Sequence, residues 1–129
     1  MARRRAKIFS EREMEVMNAV WKLGRASVKQ IRDEMGGDNA GAYTSIATML
    51  KFLESKDALR HEQYGRTYYY IPNTSRFEEQ QKAVLYVLDL YFDGNLPQMI
   101  DTLMVSAKIT PSQIGQVEKL VNNMQKSYI

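Results

Sequence analysis

The sequence predicts a mainly α-helical protein with one small β-hairpin, in two parts that meet just after Pro72. Three observations carry that expectation. Ser10-Glu11-Arg12-Glu13, Ser27-Val28-Lys29-Gln30 and Ser75-Arg76-Phe77-Glu78 are capping boxes, in which the serine hydroxyl accepts the amide three residues on and the side chain there returns a bond. Thr67-Tyr68-Tyr69-Tyr70-Ile71 is β-prone and follows Leu59–Gln63 across Tyr64-Gly65-Arg66, the order of a hairpin. After residue 73 the apolar residues recur at spacings of three and four, which is helical periodicity.

The first helix starts at the Ser10 cap, with Phe9 and Met14 placed as a hydrophobic staple. Met14, Met17, Val20 and Trp21 share a face until Gly24 ends the helix. Trp21 is expected in the core, between this helix and the hairpin. The Ser27 box opens a short second helix with Val28, Ile31 and Met35 inward and Gly36-Gly37 as its stop, and a loop through Asp38–Gly41 follows. A third helix, about Ala42 to Lys56, has two faces. Ile46, Met49, Leu50 and Leu53 form a core stripe, while Thr44, Thr48, Lys51 and Ser55 lie on another. That second face, with Ser45 beside it, reads either as an ordinary solvated surface or as one shaped for bases and phosphates. Asp57 follows the helix, and aspartate tolerates a left-handed backbone better than most residues.

A lone hairpin is barely stable in water, so Leu59, Tyr68 and Tyr70 are expected to pack on the helices and to leave the Gly65 tip projecting. The tip carries Tyr64 and Arg66, flanked by Arg60, His61 and Gln63. His61 reads as a half-exposed surface residue rather than a phosphate contact or a ligand. Three small helices followed by a hairpin, with a polar third helix, is the order of a winged helix-turn-helix.

Beyond Pro72, a long helix carries Phe77, Gln81, Val84, Leu85, Leu88, Tyr91 and Phe92 at helical spacing up to Asp93-Gly94-Asn95. Pro97 begins a helix with Met99, Ile100, Leu103 and Met104, and Thr110-Pro111-Ser112-Gln113 opens one with Ile114, Val117, Leu120, Val121 and Met124. So short a segment is marginal as an independent core, and its stripes are most easily satisfied against a second copy. Residues 1–72 thus form a winged-helix head and 73–129 a helical dimerisation module. Its expected interface residues are Phe77, Leu85, Leu88, Tyr91, Phe92, Ile100, Leu103, Ile114, Val117, Leu120 and Val121.

Composition narrows the function. With 129 residues, 44% hydrophobic and 26% charged, there is material for one domain or two very small ones. The chain has no cysteine and one histidine. Disulfides, thiolate metal sites and cysteine nucleophiles are thereby excluded, and a histidine metal cage or Ser-His-Asp triad lacks its parts. The pairs Asp33/Glu34 and Glu78/Glu79 share no expected pocket, and no phosphate-binding glycine loop is present. No enzymatic activity, metal or cofactor is expected. The longest clean apolar run, Val84–Leu88, falls far short of the ~20 residues of a membrane helix. Met1–Lys7 is basic but runs into Ile8-Phe9-Ser10-Glu11, unlike a secretory signal. A cytoplasmic protein without a membrane partner is expected.

Charge singles out the head. Residues 1–72 carry 13 Lys and Arg against 9 Asp and Glu, whereas residues 73–129 carry 5 against 6. The basic arm 1–7, with Arg4 and Arg5 at its centre, is expected to reach a polyanion. Thr44, Ser45 and Thr48 would then meet base edges, Lys51 a phosphate, and Arg60, Gln63, Tyr64 and Arg66 the backbone at the wing. A winged helix can instead serve as a protein–protein adaptor; the charge of the head and the hydroxyl stripe favour double-stranded DNA.

The chain resembles the BlaI/MecI/CopY, or penicillinase repressor, family of bacterial winged-helix repressors. The matching stretches are Glu13–Met17 with Val20-Trp21-Lys22, Ala42–Leu50, Gly65-Arg66-Thr67-Tyr68 with Tyr70, and Tyr91-Phe92-Asp93-Gly94. The resemblance covers about residues 8–126 and is specific in order and spacing. It implies a homodimer that binds a palindromic operator and blocks transcription, in many members of β-lactam resistance genes. Two departures limit what it carries. Members that sense metal through a C-terminal cysteine cluster are no guide, because this chain has no cysteine. The β-lactam-responsive members are cut by a regulatory protease at an Asn-Phe bond in the second C-terminal helix, and Thr102 and Leu103 stand at the aligned positions.

Overall fold

The computed structural model describes residues 8–106 and 108–127. In chain order the elements are α1 (Glu11–Leu23), β1 (Ala26–Ser27), α2 (Val28–Glu34), a 3-10 turn (Gly37–Ala40), α3 (Tyr43–Ser55), β2 (Leu59–Tyr64), β3 (Thr67–Pro72), α4 (Arg76–Phe92), α5 (Leu96–Met104) and α6 (Pro111–Ser127). This is a mainly helical winged-helix chain with a small antiparallel sheet. The expected basic arm with Arg4 and Arg5 lies outside the described residues.

The capping boxes form as expected. Ser10 Oγ accepts from the Glu13 amide at 3.2 Å while Glu13 Oε1 accepts from the Ser10 amide at 2.7 Å. Ser27 with Gln30, and Ser75 with Glu78, repeat the arrangement. Asn95 caps α5 through the Gln98 amide, and Thr110 caps α6 through Gln113. Asp57 adopts φ +64° at the end of α3, where the Ala58 amide returns to the Leu53 carbonyl at 3.0 Å.

The chain divides into two compact units, one reaching to Tyr86 and the other starting at Val87. The core of the first is Val16, Met17 and Val20 of α1, Ile31 of α2, Ile46, Leu50 and Leu53 of α3, and Leu59 and Tyr70 of the hairpin. Phe9, Met35 and Met49 pack around it partly buried. The unit extends past the expected boundary at residue 72 because Trp21 holds the chain beyond the hairpin: its indole Nε1 donates to the Thr74 carbonyl at 2.7 Å, and the Arg76 guanidinium lies 5.3 Å over its ring. Trp21 packs against the core, as expected, but is only half-buried there, and it also anchors the start of α4. An indole N–H needs an acceptor, and the Thr74 carbonyl just after the hairpin supplies it.

The sheet has the order β1-β3-β2, with Ala26 opposite Tyr70 and Ser27 opposite Tyr69. Strand β1 is too short to leave a periodic signal, and its Ser27 doubles as the α2 cap. Where a loop is expected at residues 38–41, Gly37–Ala40 instead form the 3-10 turn, and the Arg12 guanidinium donates to the Ala40 carbonyl. In the hairpin, Tyr70 is buried as expected, but Tyr68 is 39% exposed. It lies too near the tip to reach the core, and its ring stacks on His61 at 4.2 Å.

Glu13 is the one buried charged residue among those described. Burial works to raise its carboxyl, but the bond from the Ser10 amide, and the bond and charge of Lys56 at 3.1 Å, hold it below the usual carboxylate range. This pair joins the start of α1 to the end of α3. Its stabilisation is present above the ordinary carboxylate value and is lost as pH falls through the lowered native one. Glu13→Gln should lower stability at neutral pH by about 2 kcal/mol, since it strands the Lys56 ammonium. Thermal melts across pH 3–7 should show the wild type losing its advantage over the variant only in acid.

Candidate nucleic-acid interface

Burial of Ile46, Leu50 and Leu53 at 0% exposure fixes the rotation of α3 about its own axis. Thr44, Ser45, Thr48 and Lys51 consequently all face outward, and the structure brings these four expected residues onto one surface. Tyr43 at the first position of α3, 52% exposed, and Phe52, 47% exposed, extend it. The sequence does not single out either, because large rings at helical spacing read as packing.

Beside this surface a cleft of about 950 Å³ runs between the helices and the wing, lined by Lys29, Gln30, Tyr43, Lys51, Gln63, Arg66 and Tyr68. Three cations converge here. Lys29 reaches Asp33 at 3.6 Å with both side chains largely in solvent, whereas Lys51 and Arg66 have no ion-pair partner among the described residues. Such a cleft attracts anions, since cations lining one groove add their fields.

The wing is held from behind by a residue the sequence does not advertise. Arg25 lies 4.7 Å from the Tyr64 ring and 4.3 Å from the Tyr69 ring, and its Nε donates to Glu62 at 3.2 Å. Because Glu62 pairs with Tyr69 and Tyr64 with Thr67 across the strands, this stack covers the outer face of the hairpin near its tip. Gly65 makes the tip turn at φ +62°, and Gln63 Nε2 donates to its carbonyl at 3.1 Å. Gln63 and Arg66 thus line the cleft together, while Tyr64 turns to the other face of the hairpin, against Arg25 and Tyr69. Arg60 is not: it sits at the base of the hairpin, where its Nη1 donates to Asn73 Oδ1 at 2.9 Å. His61 is half-buried, as expected, with Nδ1 2.6 Å from Glu54 Oε2. Burial pushes the Tyr70 hydroxyl, two positions beyond Tyr68, above its ordinary pKa.

The helices beyond the hairpin bear the other expected set. Helices α4, α5 and α6 contain no buried residue among those described. Phe77, Leu85, Tyr91, Ile100, Leu103, Val117, Leu120 and Val121 are all exposed, and Leu88, Phe92 and Ile114 are half-buried. Within the second unit, Ile100, Met104, Ile114, Val117 and Val121 line an apolar groove of about 330 Å³ between α5 and α6. Thr102 is exposed, its hydroxyl turned back to the Gln98 carbonyl at 2.9 Å.

The Penicillinase repressor family matches residues 9–123. The chain belongs to the penicillinase repressor family. As a member it is a DNA-binding transcriptional repressor, not an enzyme. It is similar to the penicillinase repressor of Bacillus licheniformis, 24% identical over 113 residues that span 88% of each chain. Among solved structures it resembles the DNA-binding domain of the repressor BlaI, with 29% identity, a TM-score of 0.50, and coverage of 59% of this chain and 93% of that one. A CopR repressor structure is similar at 30% identity and a TM-score of 0.44, covering 52% of this chain and 97% of that one. No helix among the described residues is long and apolar enough to cross a membrane.

The Arg25 stack makes the wing of this family member testable by itself. Each cation–π contact at so exposed a site is worth about 0.5–1 kcal/mol. Arg25→Ala should accelerate amide hydrogen exchange at residues 62–69 several-fold while leaving α1 and α3 protected. Unchanged exchange in the wing would show that the stack does not order it.

Proposed function

We propose that this repressor acts as a homodimer on a palindromic operator of β-lactam resistance or related genes, each head placing α3 in the major groove and its wing on the backbone. The observation that carries this reading is the outward stripe of Thr44, Ser45, Thr48 and Lys51 beside the cleft that gathers Lys29, Lys51 and Arg66. Hydroxyls on an exposed helix suit base edges, and the cations suit phosphates. The BlaI domain that this chain resembles is itself a DNA-binding domain, which supports the same reading here. Lys51→Ala and Arg66→Ala should each weaken binding to operator and random duplex alike, and each should reduce the slope of log affinity against log salt by about one. Fluorescence titrations between low and moderate salt read this, and an affinity flat in salt would count against DNA as the ligand.

Dimerisation is supported by the uncovered apolar residues of α4–α6, which water disfavours and a second copy would cover. Two linked heads bind two half-sites far more tightly than one head binds one. Leu120→Asp, at a position 60% exposed in the single chain, should leave the head folded. Sedimentation at micromolar concentration should give a dimer for the wild type and a monomer for this variant, with operator affinity falling in step. A wild-type monomer at that concentration would refute this part of the reading. The same linkage offers a route to release: a regulatory protease cutting α5 near Thr102-Leu103 would break the helix that carries Ile100, Leu103 and Met104, uncoupling the two heads.

A further inference from the structure

Helix α3 lacks the side chains that usually read purines. Its residues Tyr43–Ser55 include no arginine, asparagine or glutamine, the groups that grip guanine and adenine with two hydrogen bonds in the major groove. Its single cation, Lys51, lies in the cleft toward the wing. What the outward face offers instead is a shallow concavity of about 490 Å³ lined by Thr44, Ser45, Thr48, Met49 and Phe52. Thr44, Thr48 and Phe52 stand at i, i+4 and i+8, so two threonine methyls and a phenyl ring form one row along the helix. Phe52 is 47% exposed, a poor arrangement in water and a good one against an apolar partner. The one apolar group that a base presents in the major groove is the thymine 5-methyl. Lys51 and Arg66, which line the neighbouring cleft, suit the phosphates beside it.

We propose that α3 reads its half-site by covering thymine 5-methyl groups with the Thr48 methyl and the Phe52 ring, which makes these two the specificity-determining residues. The inference rests on the operator-binding reading and goes beyond it by naming what is read. The operator is first recovered by selecting random duplexes with the full-length chain, and each thymine of a half-site is then replaced by deoxyuridine, which removes the methyl alone. Loss of a covered methyl should weaken binding about fourfold. Thr48→Ser deletes the protein's methyl and keeps the hydroxyl. It should show the same loss on the thymine operator and no further loss when the matching position is uracil, and Phe52→Ala should behave likewise at a neighbouring position. An operator fully substituted with uracil but bound as tightly as the thymine form would overturn this inference while leaving operator recognition intact. Selection that returns no preferred sequence would overturn the operator reading itself.

Discussion

The rotational setting of α3 is the constraint on which the rest of the head depends. Ile46, Leu50 and Leu53 have no exposed surface, and turning the helix by one residue would move all three out of the core. Each such side chain contributes about 1.5–3 kcal/mol by its burial, so the helix has one orientation. The hydroxyl stripe faces outward because the aliphatic stripe cannot. The Glu13–Lys56 pair then fixes where α3 ends relative to where α1 begins, and Asp57 turns the chain straight into β2. The hydroxyl stripe, the cleft and the wing are thus placed by core packing, with no need for a dedicated scaffold.

The helices α4–α6 obey the opposite rule. Their apolar residues are patterned as a core would be, yet among the described residues none is buried in the single chain. On the proposed reading, a head with a closed core and a segment without one divide the labour: the head would contact DNA and the segment would be completed by a second copy. In that reading occupancy of DNA would depend on the state of helices outside the head, which is what a repressor needs if its release is to be controlled away from the operator.

Most of the fold is legible in the sequence because the signals are local. Three serine boxes, the Asp57 turn and the 3–4 periodicity each act within one turn of helix, and each element they mark is present. The failures share a cause. Spacing alone puts Trp21 wholly in the core, but it packs only at the core's edge, its indole held by an acceptor 53 residues away, the Thr74 carbonyl. Tyr68 alternates correctly with Tyr70, yet distance from the core leaves it half in solvent. Strand β1 consists of two residues whose pairing depends on β3 alone. On the interface, Thr44, Ser45, Thr48 and Lys51 are readable as a face of a helix, and Gln63, Tyr64 and Arg66 as a turn. Arg60 departs from expectation because nearness in sequence to the wing is not nearness to its tip. Arg25 gives no sequence signal, being an isolated cation after a glycine whose partners lie across the sheet.

If the C-terminal helices join two heads into one ligand, DNA carrying two half-sites must be held by both heads at once. The most direct test compares the affinity of the full-length chain for a duplex carrying the whole palindrome with its affinity for a duplex of equal length carrying one half-site. With the heads linked, the palindrome should be bound at least about a hundredfold more tightly. Equal affinity for the two duplexes would contradict the linkage.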